Sequence, residues 1–593
     1  MSVVRVDPKS AAGYPVVLVD DAGERLLRHV DPAHVLALAG DASPQGRREL
    51  GRGLYDLVHD AALGPCQTVY LDVRDEELRA LPWELMIGPD GRRPFLTEGT
   101  CWVRGAPQPS PRAEVLVPIR LLVVLGNTDD QALLAREEAD AIRRSLRAHH
   151  GAWYVEVLDQ PTPRQFFDRM DDVRPHILHF VGHSGIHPLE GLPMLEFNGP
   201  GGSSGVTADM ILNSISEPPR LVVLNACRTA YGPAASIWDL ADAFHAGASL
   251  TMRGDLPSRP AVVFAENFYD SLASGAGVGE AVRAARAVMF RESLPEWESP
   301  SLMVRRAAED VLPWRFGVED ATAIRLAELH AEVAMTVDRT AERWRLWGGV
   351  DSDAPPYRAL LVDGGSGVGK SSLVRSCLFT WRLRGCTAVY VDAGALRDGR
   401  NVPWLEVVRA LADSLPPLAG AARFRHQLVH LRRGLRPPAG PLDPDDGGLW
   451  DAANESEPHL REALFEALRS LLAEAGPMTI AFDHLVLVPE LADTLVRGLL
   501  LPVADGLTGD VSVIVAEDDD RVLGGFADRA QRLRVEPWDR AQTEEIFREF
   551  GARTNRPYQG GWKDASEWAK TNAAVFMPSH LHMFHTMIAM GRP

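Results

Sequence analysis

The segment Gly364-x4-Gly369-Lys370-Ser371 restricts what this chain can fold into more than any other feature. It follows the apolar run RALLVD and precedes the helical pattern SSLVRSCL, so the glycines must turn the chain from a buried strand into a helix. In that setting the backbone N–H groups of Gly364, Gly365, Ser366, Gly367, Val368 and Gly369 can wrap a phosphate. Lys370 can reach the outer phosphate oxygens and the Ser371 hydroxyl can meet Mg2+, with Ser372 next in the first helical turn. Chance is a poor explanation, because the chain has only Lys9, Lys370, Lys563 and Lys570 as lysines against 58 arginines. Further on, PMTIAFDHL reads as a strand ending in Asp483, placed to hold the metal through water. None of the other lysines sits in the N-K-x-D motif that selects guanine, so the expected ligand is ATP, ADP or dATP with Mg2+.

A chain of 593 residues is too long for one core and calls for at least two domains. The first half alternates strand and helix patterns: LLVVLG, a helical stretch to Leu146, WYVEVL, the helix-like TPRQFFDRM, ILHFV, a helical segment from Ala208, and LVVLNA. Such near-continuous apolar strands suit a parallel sheet covered on both faces. Residues 1–115 carry weaker strand signals, YPVVLVD and QTVYLDV, and read as an extension of that first domain. Expected boundaries are 1–310 for the first domain, with its core at 117–305 and its extension at 1–116. A linker at 311–333, a second domain at 334–535 and a helical segment at 536–593 follow. The stretch Arg433–Pro458, rich in Pro, Gly and Asp, reads as a solvated insertion, with docking or cleavage of the chain there as the other reading.

Charge and cysteine usage narrow the partners. A net charge of −19 argues against a broad nucleic-acid surface or an anionic-membrane surface. The five cysteines have no CxxC or ligand-like spacing, and MSVVRVDPKS has no apolar leader core. No uninterrupted apolar run reaches the ~18 residues of a membrane span. The expected compartment is the cytoplasm.

Two of the apolar strands end in reactive side chains: ILHFV runs into Gly182-His183-Ser184, and LVVLNA runs into Cys227. Sites in open parallel sheets form beyond the carboxyl ends of strands, so the two groups can share a crevice. An imidazole beside a thiol can take its proton during attack on a carbonyl, and the backbone N–H groups of Ser184 and Cys227 could hold the oxyanion. A lone buried Cys is usually a small hydrophobe and a lone His usually a hydrogen-bonded core residue; it is the pair that points to chemistry. His176, His179, His183 and His187 also invite a metal reading, which Gly182 and the β-rich ILHFV oppose by breaking the helix such spacing needs. His580, His582 and His585 form only a weak HxHxxH pattern.

The segments LPWELM, HILHFVGHSG, LVVLNACRTA, ASLTMRGDLPSRPAVVFAENFYDSLASGAGVGEAVRAAR and EWESPSL, in that order over roughly 60–305, resemble a CHAT domain, a caspase-like member of the caspase-haemoglobinase fold. The resemblance implies a cysteine endopeptidase with His183 as base or ion-pair partner and Cys227 as nucleophile. It also makes Asn225, two before the nucleophile, and Asp255 candidates for the substrate pocket. The second half is similar to STAND NTPases, in the order glycine-rich loop, TAVYVDA, Asp483 strand, VSVIVAE, then VEPWDRAQTEEIF. Val337-Asp338-Arg339 would match the family's adenine-contacting entry segment, with Asp for Gly.

The expected fold class is therefore α/β: a caspase-like parallel-sheet domain, then a P-loop NTPase domain of ASCE/STAND type with a short helical C-terminus. His484, Leu485, Val486 and Leu487 follow Asp483 where further acids are usual, so slow or absent hydrolysis is expected. The resemblance implies an ATP-gated protease of prokaryotic antiviral defence or cell death. It implies a protein substrate encoded nearby, a separate sensor or activator, and self-association. An ATP-bound docking scaffold is the alternative, and an acyltransferase or deamidase using the same pair is a third reading.

Overall fold

The computed structural model describes residues 2–59, 68–99, 101–108, 114–127, 135–146, 149, 151–187, 190–199, 202–228, 240–253, 257–315, 339–347, 355–398, 403–432 and 457–538. The chain divides into two compact units, Met1–Arg315 and Phe316–Pro593. The fold is α/β in both.

In the first unit, the N-terminal strands are β1 (Ser2–Val6), β2 (Tyr14–Asp20), β3 (Gly23–Val30), β4 (Thr68–Val73) and β5 (Cys101–Gly105). After the short β6 (Val115–Leu116) come β7 (Ile119–Leu125), β8 (Trp153–Asp159), β9 (Ile177–Ile186), β10 (Pro193–Gly199) and β11 (Gly202–Thr207). Next are β12 (Leu221–Arg228), β13 (Ala248–Met252), β14 (Pro300–Val304) and β15 (Trp314–Arg315), the last of which pairs with β6 in a separate ribbon. The centre is parallel in the order β8-β7-β9-β12-β13. β14 adds antiparallel to β13, and its pairing with β5 joins β5, β4, β1, β2 and β3 to the same sheet. β10 and β11 form a hairpin beside the upper end of β9.

Burial follows from this layering. Every residue of β7 and β13 is buried, as expected for strands covered on both faces. The helix Pro163–Val173 starts where Thr162 and Gln165 form a capping box and Pro163 takes the first helical position, and it stops at Arg174, whose φ is 43°. Its Phe166 and Met170 pack against Leu122, Val124, Leu178 and Phe180 on one sheet face. The helices Ala135–Ser145 and Ser258–Ala273 bring Glu138 and Tyr269 to His179.

The second unit holds β16 (Ala359–Asp363), β17 (Thr387–Asp392), β18 (Met478–Asp483), β19 (Val511–Glu517) and β20 (Gln531–Arg534), all parallel, in the order β17-β18-β19-β16-β20. β19 thus separates the glycine-loop strand from the Asp483 strand. The apolar core packs the helices Pro403–Ser414 and Glu457–Glu474 against β16 to β19. Of the expected linker, 311–315 belong to the first unit and 316–333 lie outside the described residues. The insertion is described only at Glu457 and Pro458, and 539–593 are outside as well. Among the described residues no helix is long and apolar enough to cross a membrane.

Candidate active site and phosphate-binding loop

Parallel pairing brings His183 and Cys227 to one level. β9 and β12 run in register from Ile177↔Leu221 to Ser184↔Arg228, with His183 opposite Cys227. Neighbouring strands lie about 4.8 Å apart, so two residues 44 apart in sequence become lateral neighbours. His183 is half-buried, and its Nδ1 has no hydrogen-bond partner among the described residues.

Other expected residues fall differently. Ser184 is buried inside β9, level with Arg228 on one side and Leu195 on the other, so its amide faces a neighbouring strand and not an open crevice. That corrects its reading as an oxyanion donor. Among the described residues β13 pairs β12 only from Leu221 to Leu224, short of the Cys227 level. Asn225 is also corrected: it is buried, and its Nδ2 donates to Glu138 Oε2 at 2.6 Å instead of facing a substrate. Asp255 lies outside the described residues.

The four histidines are spread along a strand and its flanks. His176 Nδ1 accepts from the Arg120 amide at 3.1 Å, His187 Nδ1 accepts from the Glu190 amide at 3.3 Å, and His179 bonds Glu138 and Tyr269. Among the described residues no cluster of three or more His, Cys, Asp or Glu is placed to hold a metal.

The outlying segments LPWELM and EWESPSL meet at Glu84, which is fully buried. Ser301 Oγ donates to its Oε1 at 2.6 Å, while Arg104, Arg253 and Arg286 approach at 3.8, 3.7 and 3.7 Å. Burial alone would raise the Glu84 carboxyl, but three guanidinium groups and the Ser301 hydroxyl outweigh it and hold the pKa below the usual value. A buried charge with one partner removed is strongly destabilising, so these distant segments depend on one another in the folded chain.

In the second unit the glycine loop is shaped for an anion. Gly364, Gly367 and Gly369 have φ of 150°, 80° and 98°, conformations that side chains resist. A Cβ at Gly364 would sit 2.4 Å from the Val535 carbonyl oxygen. Lys370 opens the helix Lys370–Leu383 and its Nζ donates to the Gly364 and Gly365 carbonyls at 3.0 Å each and to Asp518 Oδ1. Gly365, Ser366 and Ser372 are exposed and Ser371 half-exposed, on the side a phosphate would approach, whereas Val368 is buried. Positive-φ glycines, a buried ammonium and hydroxyls in the first helical turn fit a nucleotide phosphate chain and its Mg2+.

Asp483 ends β18 level with Asp392 on β17. It is buried, and Tyr390 Oη donates to its Oδ2 at 2.5 Å. His484 Nδ1 lies 2.9 Å from Asp392 Oδ1; burial opposes its proton, but Asp392 and Asp483 prevail and raise its pKa. Glu517, level with Asp363, accepts from the Leu485 and Val486 amides, and burial pushes its carboxyl up to about 7. Arg339 is buried, donates to the Val368 carbonyl at 2.9 Å and lies 5.3 Å from the Trp538 ring centroid. It therefore braces the glycine loop and is not open to a base, while Val337 and Asp338 lie outside the described residues. Sequence reasoning missed Glu138, Tyr269, Tyr390 and Asp518 as site neighbours and saw His179 only as a metal candidate, because Glu138 and Tyr269 sit on helices, and Asp518 in a segment, distant in sequence from the strands they approach.

Residues 48–347 match the family model described as the CHAT domain. Solved structures similar to this chain include a Walker-type ATPase of Pyrococcus abyssi, at 18% identity over 40% of this chain and 63% of that one, with a TM-score of 0.26. AMPPCP-bound DnaA from Aquifex aeolicus is similar at 11% identity over 46% and 62%, TM-score 0.23. Cdc6p from Pyrobaculum aerophilum is similar at 17% identity over 40% and 50%, TM-score 0.21. The chain thus spans between 50% and 63% of the length of these proteins. No curated protein matches it.

Proposed function

Because the chain belongs to the CHAT family, we propose that it is a cysteine endopeptidase whose activity is gated by nucleotide binding in its second unit. The observation that carries this reading is the register of His183 opposite Cys227 at the carboxyl ends of adjacent parallel strands.

His183 takes the thiol proton as the Cys227 sulfur bonds to the carbonyl carbon of the scissile peptide. The Cys227 backbone N–H steadies the oxyanion. Collapse breaks the C–N bond, His183 returns the proton to the departing amine, and water released onto the thioester by the same imidazole frees the acid product. Lys370, Ser371, Asp483 and the amides of the 364–369 loop would hold ATP and Mg2+, which supply a charged ligand able to order this unit. No carboxylate directly follows Asp483, so hydrolysis is slow or absent and binding itself is the signal. A protein substrate encoded nearby, a separate sensor protein and self-association complete the reading, in prokaryotic antiviral defence or cell death.

The test maps new protein N-termini by mass spectrometry in cells expressing the chain with its genomic neighbours, wild type against Cys227→Ala. Termini unique to the wild type identify the substrate; identical maps with nucleotide and partners present reject proteolysis. The second reading is a docking scaffold, favoured by the His183 Nδ1, which has no orienting partner among the described residues. Under it Cys227→Ala leaves the biological effect intact and Lys370→Ala removes it.

A further inference from the structure

Below the His183–Cys227 level lies a buried polar chain that the mechanism above does not use. Strand alternation places His179 on the same face of β9 as His183, and Asn225 on the same face of β12 as Cys227. His179, Asn225, Glu138 and Tyr269 are all buried there.

Their hydrogen bonds have one consistent polarity. Asn225 Nδ2–H donates to Glu138 Oε2 at 2.6 Å, and with Glu138 assigned as acceptor on its other oxygen too, His179 Nε2–H donates to Oε1 at 3.0 Å. That tautomer leaves His179 Nδ1 as acceptor, and the Tyr269 O–H donates to it at 2.9 Å. Burial, with the Glu138 charge beside it, keeps the Tyr269 phenol protonated and able to donate. One carboxylate thus grips both strands from a third element, the helix Ala135–Ser145.

Apolar replacement of a buried polar network is often neutral for stability, and the role such a network can serve is specificity of arrangement. Resting on the thiol–imidazole reading, we infer that Glu138 and Asn225 are positioning residues for the nucleophile. By holding Asn225, two residues before Cys227, and His179, four before His183, Glu138 fixes the ends of β12 and β9 at one level. Asn225 is then a strut of the strand end and takes no part in substrate recognition.

The test is the rate at which iodoacetamide alkylates Cys227 in the full chain, with the Cys227 peptide quantified by mass spectrometry and folding followed by thermal melting. In this reaction a sulfur–carbon bond forms, iodide leaves and the thiol proton is lost. Asn225→Asp sets two carboxylates against each other and should slow alkylation by roughly tenfold or more, since misplacement by ~1 Å costs on the order of 10²-fold. Adding Glu138→Gln restores a donor–acceptor pair, because the side-chain amide then present at position 138 can donate through its nitrogen to the new carboxylate while its oxygen still accepts from His179. The double variant should recover to within about threefold of the wild type.

Recovery supports positioning. An unchanged rate in Asn225→Asp, or no recovery in a double variant that melts like the wild type, overturns it. If Asn225→Asp does not fold, the double variant carries the test alone: near-wild-type alkylation supports the inference and a slow rate overturns it. His183→Ala separates the two readings, because an unchanged rate there rejects the dyad itself whatever residues 138 and 225 do.

Discussion

In the second unit, nine consecutive residues from Gly364 to Ser372 make the phosphate cradle, and three positive-φ glycines shape it locally. In the first unit, His183 and Cys227 come from two strands and stand level only because β9 and β12 pair in one register. A one-residue slip would put Cys227 on the other sheet face from His183. The cradle is set by the local backbone, while the pair depends on the β9–β12 register and on what holds it, such as the Glu138 network below. A locally coded site is protected by its own backbone; a register-coded site needs buried supports.

The sharpest way to break this comparison is to remove the nucleophile. Cys227→Ala should abolish the new N-termini, a loss of roughly 10⁴-fold or more for the group that bonds to substrate, with nucleotide binding in the second unit unchanged. Fluorescent-nucleotide titration checks the second half of that statement. The reciprocal variant, Lys370→Ala, should weaken nucleotide binding by on the order of 10²-fold, because it removes the one buried ammonium of the glycine loop. Titration of the purified chain reads this directly, and equal affinity would reject the cradle.

Glu517 gives a pH test of the second unit alone. Its carboxyl titrates near 7 when folded, above the ordinary value near 4.3. The folded state therefore holds the proton more tightly, and the stability this gives is complete below about pH 4 and lost as pH rises through 7. Glu517→Gln mimics the protonated form and keeps an acceptor for the Leu485 and Val486 amides. The variant should match the wild type near pH 4 and exceed it by on the order of 1–2 kcal/mol at pH 8, read as a higher melting temperature. A difference that is constant with pH sinks this account.

What could be read from the sequence follows the same division. The glycine loop, its flanking strand and helix, and Asp483 need only adjacent residues, and strand, turn and helix stand where the pattern puts them. The parallel centre was legible because buried strands are apolar along their whole length. Asn225 was misread because nothing local announces that a glutamate 87 residues earlier would claim its amide. Ser184 was misread because the hairpin β10–β11, which pairs β9 beyond Gly182, has no signal in the strand it covers. Arg339 was read as a base contact, yet Trp538 and the Val368 carbonyl occupy it, both supplied by distant parts of the unit.

The smallest expected effect concerns Asp518, which follows β19 and pairs with Lys370. A lysine ammonium has three N–H donors, and in this structure the Gly364 and Gly365 carbonyls and Asp518 engage it. A phosphate arriving at the loop must compete with that carboxylate. Asp518 is about half exposed, so solvent screens the pair, and it is worth about 0.5–1 kcal/mol. Asp518→Asn should therefore tighten nucleotide binding by roughly two- to fivefold, with a smaller gain at high salt because screening already weakens the wild-type pair. If the substitution instead weakens binding, Asp518 contributes to holding the bound nucleotide, and the second unit too depends on a residue brought from a separate strand. The cradle would then be less locally coded than its nine consecutive residues suggest.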